Sequence, residues 1–528
     1  MTSATIGTAA IRSALIEGRE IALLDVREEG PYSRAHPLFA VSVPLGRIEV
    51  AVGDLVPRLS APVVVYDDGE GLAEPAVVRL RALGYRDVSI LEGGLSGWIA
   101  AGGEVYRDVG VPCKAFGEWV EHHRRTPSLP AEEVKALTES GADHVILDAR
   151  RFEEYRTMSI PGGISVPGAE LVRRVFDIAP SPDTLVIVNC AGRTRSIIGT
   201  QSLINAGIPN RVAALRNGTI GWTLAGLEVD RGQERRFPPV SPAGQAKAQA
   251  AARAVAERAG VGRIDDSQLG TWNNDTSRTL YRFDVRTPEE YEAGHRPGFR
   301  HAAGGQLVQA TDEYVGVRGA RIVLSDDDGV RADMTASWLA QMGWDVHVLA
   351  GLPDMDALET GWPAPTLAPF PDRPVAEIAP FDLLGLLDDG HAVVVDLARS
   401  PEYRAGHIPG AWFAVRSALR DALARLPRGP RIVLTSPDGA LARYAAPEVA
   451  DLTGAEPLLL AGGTAGWALA GLPLASGLTR LLSETDDVYK RPYEGTDNSG
   501  GAMQAYIDWE LGLVAQLERD GTHRFRVI

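Results

Sequence analysis

Leu185-Val186-Ile187-Val188-Asn189-Cys190-Ala191-Gly192-Arg193-Thr194-Arg195-Ser196-Ile197-Ile198 is the stretch that decides how this chain folds. A four-residue apolar run ends in a polar residue and a cysteine. A short Gly/Arg/Thr loop follows, and Ile197, Ile198 and Leu203 begin a helical pattern. The segment reads as a buried strand, a tight turn and a helix N-terminus, with a thiol at the first position of the turn. Unpaired amide N–H groups of the first helical turn, together with Arg193 and Arg195, favour the ionised thiol. The sequence therefore predicts a lowered Cys190 pKa. A lone cysteine is more often a small buried hydrophobe. The strand–Cys–Gly–Arg–x–Arg–helix setting points instead to a nucleophile suited to an anion, provided that the thiol reaches an opening.

Working outward, the same unit recurs four times. A strand ending in Asp appears as Leu23-Leu24-Asp25-Val26-Arg27, Ile146-Leu147-Asp148-Ala149-Arg150, Arg282-Phe283-Asp284-Val285-Arg286 and Val394-Val395-Asp396-Leu397-Ala398. Each is followed by an acidic/Tyr segment reaching Tyr32, Tyr155, Tyr291 or Tyr403. Three units then show a Pro-Gly turn: Pro161-Gly162, Pro297-Gly298 and Pro409-Gly410. A second apolar strand leads to a polar loop and a helix, and each unit closes near a Gly-rich turn: Gly93-Gly94, Asn217-Gly218, Ala350-Gly351-Leu352-Pro353 and Gly462-Gly463. Short apolar strands alternating with helices imply an α/β fold, each unit a small parallel sheet flanked by helices on both faces. The strand-end Asp/Arg pairs read as structural ties between loops. His295 and His407, in their Pro-Gly turns, read as hydrogen-bonded to backbone.

Boundaries follow from composition: units at 1–107, 114–232, 243–371 and 375–478, and an extension at 479–528 that matches no repeat. The Pro-rich Gly232 to Pro242 stretch reads as a linker, and Ala-rich Ala243 to Ala259 as a helix opening unit three. Met503 to Leu513 reads as an amphipathic helix that docks on a domain or a partner chain.

The 528 residues, 45% apolar and 23% charged, suit three to five ordinary globular domains of ~100–200 residues each. The net charge of −16 argues against nucleic acid and against an anionic membrane surface. No apolar run approaches the ~18 residues of a membrane-spanning helix. Met1 to Ala10 lacks a basic region followed by an apolar core, and only Cys113 and Cys190 are present. A reducing, cytoplasmic setting is expected.

The order DxR, ExY, HxPG, strand, loop, helix and GG…W resembles the rhodanese (sulfurtransferase) domain, in four tandem copies. Cys190-Ala191-Gly192-Arg193-Thr194-Arg195 resembles that family's six-residue active-site loop, with Gly192 third where many members have Gly fourth. Met158-Ser159 stands where the family's HxPG turn has its His. The resemblance implies sulfane-sulfur transfer. The Cys190 thiolate attacks an anionic donor of thiosulfate type, carries a persulfide, and passes the sulfur to cyanide or a thiol, with no cofactor and no metal. Backbone N–H groups of Ala191, Gly192, Arg193, Thr194, Arg195 and Ser196 are expected to cradle the anion. The Arg193 and Arg195 guanidiniums are expected to bind the donor, unless one of them turns inward to brace the loop, as the family's last loop Arg often does. The Thr194 and Ser196 hydroxyls read as caps.

Counted back from the glycine after each loop helix, the Cys190 position becomes Asp67 in unit one, Asp326 in unit three, and Ser436 or Pro437 in unit four. None can form a persulfide, and a carboxylate there would itself occupy the anion's place. Units one, three and four are expected to be non-catalytic, stabilising the array or recognising a protein partner. Tandem rhodaneses commonly pair an inactive domain with an active one, so units one and two are expected to pair with the active cleft at their interface, and truncation after about residue 240 is expected to keep the chemistry in that pair if it stays soluble. One rival is a Cys-dependent phosphatase or arsenate reductase, whose loop places Arg six residues after Cys. Here Arg195 comes one residue too early for a tetrahedral phosphate. The other rival is a non-catalytic scaffold or sulfur-relay carrier. Cys113 reads as a linker bystander or a resolving thiol. His122-His123-Arg124-Arg125 reads as a solvated face or added charge near the cleft, and Asp326-Asp327-Asp328 as a polar turn rather than a metal site.

Overall fold

Four central strands, Val63–Tyr66, Leu185–Asn189, Arg321–Ser325 and Arg431–Thr435, organise the computed structural model, which describes residues 3–351 and 357–528. Each is rich in Val, Ile or Leu and buried over at least its last three residues, because helices cover both faces of its sheet. Each sheet has five strands, all parallel, in the order 1-5-4-2-3. The loop after the fourth strand thus leaves from the middle of the sheet, at its carboxyl edge, where α/β sheets bind ligands. The Leu352-Pro353 half of unit three's Gly-rich turn lies outside the described residues.

The strand-end pairs tie loops as expected. Arg150 donates to Asp148 at 2.7 Å and to the Met158 carbonyl at 2.6 Å, and Arg27 and Arg286 do the same in their units. Asp396 has no such arginine, and burial pushes its carboxyl up to about 7. The His295 and His407 rings stack on Tyr291 and Tyr403 and hydrogen-bond their carbonyls. His36 stacks on Tyr32 in unit one, a counterpart that the Pro-Gly pattern did not reveal.

The units do not pair in chain order. Units one and three share one hydrophobic core, running from Leu24 and Val65 to Phe283, Ile322 and Trp338. The Leu55 carbonyl accepts from Tyr281 Oη at 2.5 Å and from the Gly316 amide at 3.0 Å. Unit two packs on unit three, where Arg331 meets Glu170 at 2.9 Å and Arg173 meets Asp328 at 2.6 Å. Unit one meets unit four through Arg416 and Glu49 at 2.8 Å. Units one and two thus each pack on unit three as well as following one another in the chain. Helix Pro242–Ala259 also serves two masters: Ala248, Ala252 and Val255 complete unit two's core beside Val330 and Met334 of unit three. Its small alanines let both neighbours approach closely. Cys113, expected in a linker, lies in helix Val111–Arg124, buried in the core shared by units one and three. The extension forms two helices rather than one, Gly500–Leu511 and Leu513–Asp520.

Candidate active site

Cys190 is the first residue after strand Leu185–Asn189, and helix Thr194–Asn205 starts four residues later. The Cys190 carbonyl accepts from the Thr219 amide at 2.8 Å and the Ala191 carbonyl from the Ile220 amide at 2.9 Å. Those bonds turn the loop's carbonyls outward, toward helix Gly218–Leu224. Gly218, at φ +55°, leaves no room for a Cβ: one would sit 2.4 Å from the Cys190 carbonyl oxygen. Gly94 and Gly463 abut the Asp67 and Ser436 carbonyls in the same way. The repeated Gly-rich turn is thus the backstop that shapes the loops of units one, two and four.

With carbonyls turned out, amides face in. In unit one, Asp67 accepts from the amides of Gly69, Leu72 and Ala73, at 3.2, 2.5 and 3.1 Å. In unit three, Asp326 accepts from Gly329 and Ala332, at 2.8 and 3.0 Å. In unit four, Ser436 Oγ accepts from the Ala442 amide at 3.3 Å. Each residue immediately follows its central strand, and its last donor lies six residues on. In unit two that arrangement pairs Cys190 with Ser196. The thiol donates to Ser196 Oγ at 3.4 Å, and Ser196 Oγ donates to the Arg193 carbonyl at 2.8 Å. The cradle is common to all four units; a cysteine occupies it once.

The electrostatics differ from the expectation. Burial pushes the Cys190 thiol up, and the Arg195 guanidinium and the hydroxyl and amide of Ser196 pull against that rise. Amides and charges were visible in the sequence; the burial that outweighs them was not. Cys190 is only 2% exposed.

Both arginines are engaged by carboxylates, Arg193 away from any described cavity and Arg195 at the wall of one. Arg193 donates from Nε and Nη2 to Glu118 at 2.7 and 2.8 Å, pairs with Glu121, and reaches Asn217 Oδ1 at 3.0 Å. Arg195 makes a two-point pair with Glu154. That pair, with Arg150 and Arg151 nearby, holds the Glu154 carboxyl well below the usual range against the opposing effect of burial. Unit three repeats it: Arg331, five residues after Asp326, meets Glu290. Of the two alternatives for Arg195, the geometry favours the inward brace. Comparing the ExY segments and loops of units two and three would have found this pair in the sequence.

The cover over the loop comes from the extension, which sequence reasoning missed. Tyr506 Cε1 lies 3.1 Å from where a Cβ on Gly192 would be. Tyr506 Oη donates to Glu510 Oε1 at 2.7 Å, and Thr194 Oγ1 donates to the same oxygen at 3.3 Å. Lys114 Nζ sits 5.4, 5.3 and 5.6 Å from the ring centres of Tyr493, Tyr506 and Trp509, and 2.6 Å from Asp108 Oδ1. The surroundings of Cys190 are therefore closed but polar. A cavity of about 150 Å³, lined by Lys114, Arg151, Arg195, Arg491 and Tyr493 with three glutamates, lies beside Arg195.

His122, His123, Arg124 and Arg125 lie on an exposed face. Asp326, Asp327 and Asp328 bring carboxylate oxygens within 4.8 Å of one another. They are already engaged, by backbone amides, by Arg331 and by Arg173. Among the described residues no helix is long and apolar enough to cross a membrane.

The family model of the rhodanese-like domain matches residues 8–101, 130–225, 271–351 and 380–470. This chain belongs to the rhodanese-like family. A crystal structure of thiosulfate sulfurtransferase from Pseudomonas aeruginosa is 59% identical and superimposes with a TM-score of 0.98, over 99% of this chain and 100% of that one. Thiosulfate sulfurtransferase of Azotobacter vinelandii is 26% identical over 205 residues, 35% of this chain and 74% of that protein. An HTH-type transcriptional regulator of Mycobacterium tuberculosis is 37% identical over 87 residues, 16% of this chain; the match spans 38% of the regulator. In rhodanese terms, the second domain alone carries a cysteine in the loop.

Proposed function

We propose that the protein is a sulfurtransferase that moves sulfane sulfur from an anionic donor of thiosulfate type to a thiophilic acceptor, through a persulfide on Cys190. The observation that carries this reading is the shared amide cradle. Two sister loops hold a carboxylate in it, so the cradle suits an anion, and Cys190 occupies the same place. Likeness to one thiosulfate sulfurtransferase over almost the whole chain supports it.

Cys190 first loses its proton to solvent. The thiolate attacks the donor's outer sulfur, the donor's S–S bond breaks, and sulfite leaves with the electron pair. The loop amides from Ala191 to Ser196 stabilise the resulting persulfide anion. A thiolate or cyanide then attacks the outer persulfide sulfur and regenerates the Cys190 thiolate, in a ping-pong cycle. Arg195, held by Glu154, positions the loop and contributes positive charge. Domains one, three and four stabilise the array or bind a protein partner, and the setting is a reducing cytoplasm in which Cys113 and Cys190 stay unpaired.

The burial of Cys190 favours a second reading, a scaffold or relay with no turnover of its own. Thiosulfate separates the two. A mass increase of one sulfur atom, absent in Cys190→Ser, supports transfer, with turnover in that variant reduced by at least about 10⁴-fold. No adduct from thiosulfate, a persulfide or a mercapto-keto acid leaves the scaffold standing.

A further inference from the structure

Cys190 is only 2% exposed in the closed arrangement, and the element that covers it is thinly attached. Only Tyr506, Ile507 and Glu510 of helix Gly500–Leu511 are buried. They lie against the catalytic loop and Ile220, while most of the helix's other positions face solvent. The chain is firmly tied on either side of this helix. Before it, the Leu482 amide donates to the Phe413 carbonyl at 2.9 Å and the Gly30 amide to the Asp486 carbonyl at 2.7 Å. After it, Leu513 and Leu517 are fully buried in the first domain's core, and the Arg526 amide donates to the Gln341 carbonyl at 2.8 Å.

Between those anchors stand glycines suited to bending. Gly495 has φ +75°, Gly501 has nothing within 4 Å of a would-be Cβ, and Gly512 separates the two extension helices. The inward face packs on Ile220, accepts a hydrogen bond from Thr194 at Glu510, and meets one cation. Lys114, from helix Val111–Arg124, is ringed by Tyr493, Tyr506 and Trp509, all three from the extension. One contact is incomplete: Glu510 Oε2 is buried against the loop with no hydrogen-bond partner. An unmade bond of that kind lowers the cost of separating the two surfaces.

We propose that helix Gly500–Leu511 is a lid over Cys190, latched by the Lys114 ammonium in its aromatic ring and hinged at the flanking glycines, and that it swings away as a unit to admit the sulfur donor. The lid opens without the rest of the molecule unfolding, a local opening of low free energy next to a global one. Its link to turnover rests on the sulfurtransferase reading; its opening does not.

The chain carries its own control. Cys113 is as buried as Cys190, at 2%, but lies in the core shared by the first and third domains, on the helix that carries Lys114 and at the wall of a small cavity that also touches Thr194 and Arg195. The test is iodoacetamide labelling of the full chain, followed by peptide mass mapping, with each rate normalised to that thiol's rate in urea. The lid predicts that Cys190 labels at least tenfold faster than Cys113. Tyr506→Ala then raises the Cys190 rate a further tenfold or more and leaves Cys113 unchanged. Equal normalised rates in the wild type overturn the proposal, as does a Cys190 rate unmoved by Tyr506→Ala. Should Tyr506→Ala expose both thiols, Trp509→Ala, at a half-buried position, replaces it under the same criteria. Labelling needs no sulfur donor, so a chain inert to thiosulfate, a persulfide and a mercapto-keto acid whose Cys190 labels selectively refutes the transferase reading and keeps the lid.

Discussion

Arg195 and Glu154 form a two-point ion pair, Nη1 to Oε2 and Nη2 to Oε1, each at 2.8 Å, with both side chains largely withdrawn from water. The pair joins the Cys190 loop to helix Phe152–Thr157 and so braces it. Arg195→Ala leaves Glu154 without its main partner in a buried setting, which costs about 3–5 kcal/mol. Urea unfolding checks that value. Thiosulfate turnover falls chiefly in kcat, because the loop loses its brace, and Arg195→Lys does not restore the two-point geometry.

Arg193 answers to Glu118 and Glu121 on helix Val111–Arg124. Arg193→Ala therefore changes the KM for thiosulfate by less than about threefold, while stability falls by about 3 kcal/mol because Glu118 loses its partner in a buried site. Steady-state kinetics and thermal unfolding on one preparation separate these effects. A KM raised tenfold or more, with stability unchanged, would restore Arg193 as a donor ligand.

Asp67 satisfies three amides that have no other use for their protons. Asp67→Ala orphans them and lowers stability by about 1–3 kcal/mol. Sulfur transfer per folded molecule is unchanged, because the first domain's loop holds no thiol.

Burial pushes the Glu510 carboxyl up to about 7, reinforced by Glu118 and opposed by Lys114, Arg193 and the Tyr506 hydroxyl bond. An open lid returns Glu510 to water and to its ordinary value near 4.5. Between those values the closed state holds the extra proton, so closure is strongest at low pH, and that contribution is lost as pH rises through about 7. Labelling of Cys190, corrected for its thiolate fraction, is expected to rise from pH 5 to pH 8 relative to Cys113. Glu510→Gln flattens the dependence.

Truncation near residue 240 removes the partner of an apolar face. The first domain's half of the shared core, with Leu24, Val65 and Leu80, meets water instead of Phe283, Ile322 and Trp338. The fragment is expected to aggregate or to bind a hydrophobic dye strongly, and to lack thiosulfate activity even with Cys190 present.

What was legible in the sequence was local. The strand-end pairs and the place of Cys190 follow from short local patterns, and the four-fold recurrence and the carboxylates in the sister loops from finding those patterns again along the chain. The contacts that went unread join distant segments. Thr194 meets Glu510 across 316 residues, and Leu55 meets Tyr281 across 226. The sign of the Cys190 shift belongs with these, since it depends on how thoroughly the extension and helix Val111–Arg124 exclude water from the loop. Arg195 stands between: its partner was readable, but only by aligning one domain with a silent sister.

The merged interior of domains one and three bears on how the chain comes to its native shape. The second domain intervenes between the two halves in sequence, so the first domain's greasy face must wait, uncovered, until more than a hundred further residues have been made. Self-assembly in modular steps is closed to such an interleaved topology, and long-range closure of this kind slows folding and invites aggregation. Refolding from denaturant should be slow and sensitive to protein concentration, and expression in cells should depend on chaperones that shield that face.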